Sequence, residues 1–127
     1  MIAVDTSALM AIVLHEEPVP ACLAAMKRAD RLIISAATVV EALIVSQKRD
    51  EAQGMSMLLD GTDFEIIPVT AEQARRIAEA HARWGRGAKS AGLNFGDCFA
   101  YAVAKDNGCP LLYVGRDFAK TDVKSVL

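Results

Sequence analysis

The chain has 127 residues, 53% hydrophobic and 24% charged, with a formal net charge of -2. That length suits one domain, residues 1–127, with a real core, and that composition excludes a disordered chain. The charge gives no overall attraction to a polyanion, so contact with nucleic acid requires a local basic patch or bound cations.

Ile2, Ala3 and Val4 form an apolar run short enough for a buried strand, and Asp5 stands where that strand ends. Thr6 or Ser7 is expected to cap a helix reaching about Leu14, with His15-Glu16-Glu17-Pro18 as the break. Residues 18–29 read as a second helix that buries Ala21, Cys22, Ala24, Ala25 and Met26. Residues 31–34 make a second strand ending at Ser35, an N-cap for a helix whose apolar face is Val39, Val40, Leu43 and Ile44. That helix is expected to run to about Gln53 and to be punctuated by Gly54, with a short helix over 55–59.

Residues 64–67 form a third strand stopped by Pro68. Thr70-Ala71-Glu72-Gln73 is a capping-box pattern that starts a helix continuing to about Trp84. A glycine-bearing basic loop follows over 85–92, and Asn94 caps a strongly apolar helix containing Asp97 and ending at Asn107-Gly108. Residues 111–114 are a fourth strand, and 123–127 are expected as a final edge strand. Short buried strands alternating with helices predict an α/β fold, three layers α/β/α around a mainly parallel sheet of four to five strands.

Cys22, Cys98 and Cys109 are odd in number and lack paired spacing, so buried thiols are expected and a disulfide framework is not. His15 and His81 are too few for a Cys/His zinc site. No basic segment precedes an apolar run, and residues 9–14 are too few to span a bilayer; no leader and no membrane contact are expected, and a reducing compartment, the cytoplasm, is.

Four carboxylates stand out by placement. Asp5 ends the first strand, Asp97 lies in the first turn of its helix, and Asp117 follows the fourth strand by three residues. Glu41 borders the apolar face of the helix after the second strand. In a parallel sheet the carboxyl ends of the strands share one edge, where ligands bind. Taken singly, Asp5 and Asp97 could serve helix N-termini, Glu41 a solvated face and Asp117 a turn. If the four converge, their mutual repulsion calls for a hard divalent cation with all-oxygen ligation, Mg²⁺ or in its place Mn²⁺. Such centres serve phosphoryl chemistry by activating water and clamping phosphate.

Asp5-Thr6-Ser7-Ala8-Leu9, the segment from Ser35 to Glu41, the block Leu93-Asn94-Phe95-Gly96-Asp97-Cys98-Phe99-Ala100-Tyr101-Ala102 and Gly115-Arg116-Asp117-Phe118 together resemble the PIN-domain ribonucleases. Within them the chain is similar to the VapC-type toxins of bacterial toxin–antitoxin pairs. The resemblance spans essentially the whole chain and implies a metal-dependent endoribonuclease that cuts a phosphodiester with activated water. It makes Asp5 and Asp97 the main metal ligands, with Glu41 completing the site directly or through water. Asp117 becomes the fourth acid, with Asp122 as its competitor. Thr6, Ser7 and Asn94 support the site by hydrogen bonding. It also implies a homodimer, held inactive by a small VapB-type antitoxin that places a basic side chain in the acidic site.

Arg75, Arg76, Arg83, Arg86 and Lys89 face only Glu79 across fifteen positions. Arg75 and Arg76 suit a solvated helix face, whereas Arg86 and Lys89 are candidate RNA-phosphate contacts. Trp84 beside them either stacks a base or packs under the loop. The rival from another class is a non-catalytic PIN-fold module that binds RNA or protein. A phosphotransferase using Asp5 as nucleophile would want a second Asp two residues on, and position 7 is Ser.

Overall fold

The computed structural model describes residues 1–87 and 91–127. Its elements run β1 (Ile2–Val4), α1 (Thr6–Val13), α2 (Val19–Arg28), β2 (Leu32–Ser35), α3 (Ala36–Lys48), α4 (Ala52–Gly61), β3 (Phe64–Ile67), α5 (Ala71–Trp84), α6 (Phe95–Asp106) and β4 (Leu111–Leu112). The four strands form one sheet in the order β3-β2-β1-β4, every pair parallel. β1 is central, registering Ile2 with Leu32 on one side and Val4 with Leu112 on the other.

Strand residues alternate between two cores, which is why the strands are apolar throughout. Ile2, Val4, Ile34 and Leu112 pack with Leu9 of α1, Cys22 of α2, Ala42 of α3 and Met55 of α4. Ala3, Ile33 and Leu111 pack with Ile77 of α5 and Cys98, Tyr101 and Val103 of α6. This is the expected three-layer α/β/α arrangement with four strands. All three cysteines are unpaired and buried. Among the described residues no helix is long and apolar enough to cross a membrane.

Several local expectations are corrected. Asp5, not Thr6 or Ser7, caps α1, its Oδ2 accepting from the Ser7 amide at 3.0 Å. α2 buries Cys22, Ala25 and Met26 but leaves Ala21 exposed. α3 stops at Lys48 because Asp50 turns the chain at φ +56°, and α4 then runs through Gly54 without a break. The buried stripe of α3 is Thr38, Ala42 and Ser46, while Val40 and Ile44 are 55% and 47% exposed. α3 lies against both α1 and α6, so small residues at i, i+4 and i+8 permit the close approach there.

Thr70 does cap α5, accepting from the Gln73 amide at 3.1 Å, but Gln73 does not accept from the Thr70 amide in return: its Nε2 donates to Asp106 and its Oε1 is buried without a partner. The closed capping box is instead at α6. β4 ends at Leu112, since the Val114 amide is taken by Ser7 Oγ at 3.0 Å. The expected last strand is reduced to a single parallel bridge, Leu111 to Ser125.

Candidate active site

β1 delivers Asp5 to the carboxyl edge of the sheet, where its amide donates to Leu112 O at 3.0 Å. The residue is 3% exposed. Its Oδ2 accepts from both the amide (3.0 Å) and the hydroxyl (2.6 Å) of Ser7. Its Oδ1 is buried with no hydrogen-bond partner. Burial raises the Asp5 pKa from 3.8 to about 7; the Ser7 bonds oppose the shift, and the charges of Asp97 and Glu41 add to it.

Asp97 is brought in by the start of α6. Asn94 Oδ1 accepts from the Asp97 amide at 2.8 Å, and the Asn94 amide donates to Asp97 Oδ2 at 3.0 Å. The carboxylate is thereby fixed at the positive end of the helix. Burial raises its pKa from 3.8 to about 6. The Asn94 bond opposes that rise, the charges of Asp117 and Glu41 reinforce it, and Arg86 works against it.

Glu41 reaches the same place from α3. Thr6 Oγ1, one residue after Asp5, donates to Glu41 Oε1 at 2.6 Å. On its other side the carboxylate lies over Gly96, one residue before Asp97. The sequence pattern marks the Gly-Asp pair but gives Gly96 no role of its own; the signal for one is a glycine inside the first turn of a helix, where it is disfavoured.

Asp117 stands on the exposed loop after β4, which is anchored by Phe118, buried and 5.0 Å from the Tyr113 ring. Its charge acts on Asp97. Asp122 is engaged elsewhere: it accepts from Tyr101 OH at 2.6 Å and Lys105 Nζ at 3.2 Å, and Arg83 lies 3.9 Å away. The Tyr101 bond, foremost, lowers the Asp122 pKa.

Trp84 packs against the α5/α6 side of the core, donating to Tyr101 OH at 3.1 Å with the Arg83 guanidinium 4.5 Å over its ring. The Leu93 amide donates to Trp84 O at 2.8 Å and the Arg86 amide to Leu93 O at 3.1 Å, closing the base of the basic loop. Arg86 is thus held within electrostatic reach of Asp97. Lys89 lies outside the described residues. Arg76 is paired with Asp106 and Glu72, as suits a helix face.

The donor set is all oxygen, and the partnerless Asp5 Oδ1 is a buried acceptor without a donor. Among the described residues no three Asp, Glu, His or Cys side chains are gathered into a preformed metal cage. The all-oxygen donors and the unpartnered Asp5 Oδ1 are of the chemistry that a hard cation such as Mg²⁺ takes.

A family model described as PIN domain matches residues 2–124. The chain belongs to the PIN-domain family. It is 41% identical over 128 residues to the VapC ribonuclease Mb0625 of Mycobacterium bovis and equally to ribonuclease VapC28 of Mycobacterium tuberculosis, covering 98% of this chain and 96% of each relative. Within the PIN-domain family it therefore falls among the VapC ribonucleases. The fold is also that of Mycobacterium tuberculosis VapC20, a sarcin–ricin-loop-cleaving toxin, with a TM-score of 0.80 at 18% identity over 99% of this chain and 98% of the other. It is likewise that of a chain in VapBC2 from Rickettsia felis, bound to a promoter DNA fragment, with a TM-score of 0.71 at 17% identity over 98% and 96% of the two chains.

Proposed function

We propose that this PIN-domain protein is a Mg²⁺-dependent endoribonuclease toxin, neutralised by a VapB-type antitoxin and acting in the cytoplasm. The observation that carries the metal-dependent part is the buried, partnerless Asp5 Oδ1 beside a second buried carboxylate, both with pKa values raised toward neutrality. Such a pair is costly when ionised unless a cation joins it. The ribonuclease relatives support RNA as the substrate.

Asp5 and Asp97 would hold the ion, which when bound supplies Lewis-acid stabilisation of the phosphate and a lowered pKa for water. Ser7 holds Asp5 from two donors, and Asn94 holds Asp97, so neither carboxylate swings as substrate arrives. Glu41, fixed by Thr6, would orient the attacking water and accept its proton, while the phosphorus–oxygen bond to the leaving nucleotide breaks and its oxygen takes a proton from solvent water. Asp117 adds negative charge at the mouth, and Arg86, with Lys89, contacts the RNA backbone. A basic side chain from the antitoxin would satisfy the same carboxylates and block the metal. A homodimer is part of the same reading, and Val69 and Phe95, both exposed and lining one apolar groove, are surface it could use.

The test is incubation of antitoxin-free protein with total RNA, with and without Mg²⁺, beside Asp97→Asn. Discrete fragments that require both the metal and Asp97 are expected. Tight RNA binding without cleavage by the wild type would overturn the nuclease reading in favour of a non-catalytic module.

A further inference from the structure

Gly96 is the second residue of α6, and its backbone lies outside the left-handed region, so conformation does not demand glycine there. What demands it is Glu41. A Cβ built on Gly96 would fall 2.6 Å from Glu41 Cδ and 3.0 Å from Oε1, and nearer still to Oε2. No other atom is among the three nearest to that position. We propose that Gly96 is a positioning residue of the active site, its missing side chain being the space in which the Glu41 carboxylate lies. The inference rests on the nuclease reading of this site.

Two neighbours of the metal-binding pair define where Glu41 ends. Thr6, next to Asp5, holds Oε1 at 2.6 Å, and Gly96, next to Asp97, leaves room for Oε2. Glu41 is thus registered against both helix starts at once. Because the carboxylate is the far end of a flexible side chain, a methyl at position 96 would move Glu41 rather than α6. The displacement needed exceeds an ångström and would break the Thr6 bond. Alanine is otherwise the better helix residue. The glycine is therefore locally unfavourable and is explained by the site it serves.

The test is a double-mutant cycle with Gly96→Ala and Glu41→Ala, read by RNA cleavage, Mn²⁺ affinity and Tm. Gly96→Ala alone is expected to lower kcat about 10²-fold with little change in KM. Mn²⁺ affinity should fall about 10-fold, as for other changes to groups that orient ligands. In the Glu41→Ala background the same substitution should leave Mn²⁺ affinity unchanged and raise Tm, because only its helix-favouring effect remains. Equal losses of affinity and Tm in both backgrounds would overturn the proposal, since Gly96 would then be structural alone. Wild-type cleavage and Mn²⁺ affinity in Gly96→Ala would overturn it as well. A wild-type protein that neither cleaves RNA nor binds Mn²⁺ would instead refute the nuclease reading, and the proposal with it.

Discussion

Replacing Asp5 with Asn is expected to stabilise the metal-free protein while abolishing cleavage. Asp5 is almost wholly buried, and its pKa rises from 3.8 to about 7. Between those values the folded chain holds a proton that the unfolded chain has released, so stability falls as pH rises through that window. A shift of this size corresponds to a penalty on the order of 4 kcal/mol once the folded carboxyl ionises. That is a large share of the roughly 5–15 kcal/mol that holds a domain folded. Asn caps a helix as well as Asp does and can still accept from the Ser7 amide, so the substitution removes the charge, while its Nδ2 in place of the partnerless Oδ1 offsets part of the gain. Urea unfolding in EDTA at pH 5 and pH 8 reads the effect. Wild type should be clearly weaker at pH 8. Asp5→Asn should flatten most of that dependence, leaving the smaller share of Asp97, and should exceed wild type at pH 8 by about 2–4 kcal/mol. Mg²⁺ should then restore the wild type and stabilise the variant less. A variant less stable than wild type at pH 8 without metal would refute the reasoning.

Gly54→Ala should raise stability by about 0.5–1 kcal/mol in denaturant unfolding, since its Cβ would meet only ordinary contacts, 3.4 Å from Glu51 Oε2 and 4.0 Å from Val13. Asp117→Asn should weaken Mg²⁺ binding and cleavage. Asp122→Asn should leave both intact and instead lower Tm by releasing Tyr101 and Lys105, as paired melting and cleavage assays would show. Arg86→Ala should weaken RNA binding and reduce the slope of log affinity against log salt by about 1, measured by titration at several ionic strengths.

Local signals carried most of the fold. The caps at Ser35, Thr70 and Asn94 form where side-chain chemistry places them, because each bond spans two or three residues. Asp5 joins them, although adjacent hydroxyls at Thr6 and Ser7 compete for the same role on paper. What failed depended on partners far along the chain. The apolar run of α3 suggested a face that includes Val40 and Ile44, yet contact with α1 and α6 selects the small residues instead. β4 loses Val114 to Ser7, 107 positions away. Gly54 carried the composition of a break but sits mid-helix.

The placement of Asp5 and Asp97 was legible because strand ends and helix starts share one edge of a parallel sheet. Which of Asp117 and Asp122 acts by its charge on Asp97 was not, since Tyr101 and Lys105 engage Asp122 from another turn of α6. Nor was the contact between Glu41 and Gly96, which exists only once α3 and α6 are packed.

The most direct test is calorimetric titration of Mg²⁺ into antitoxin-free protein at pH 6.5, in buffers of different ionisation enthalpy, for wild type, Asp5→Asn and Asp97→Asn. If the ion is held by carboxyls that titrate near 7 and 6, binding must expel protons. Wild type should therefore bind with measurable proton release, and each variant should lose both affinity and part of that release. Binding without proton release, at an affinity neither substitution changes, would place the ion elsewhere and contradict the account.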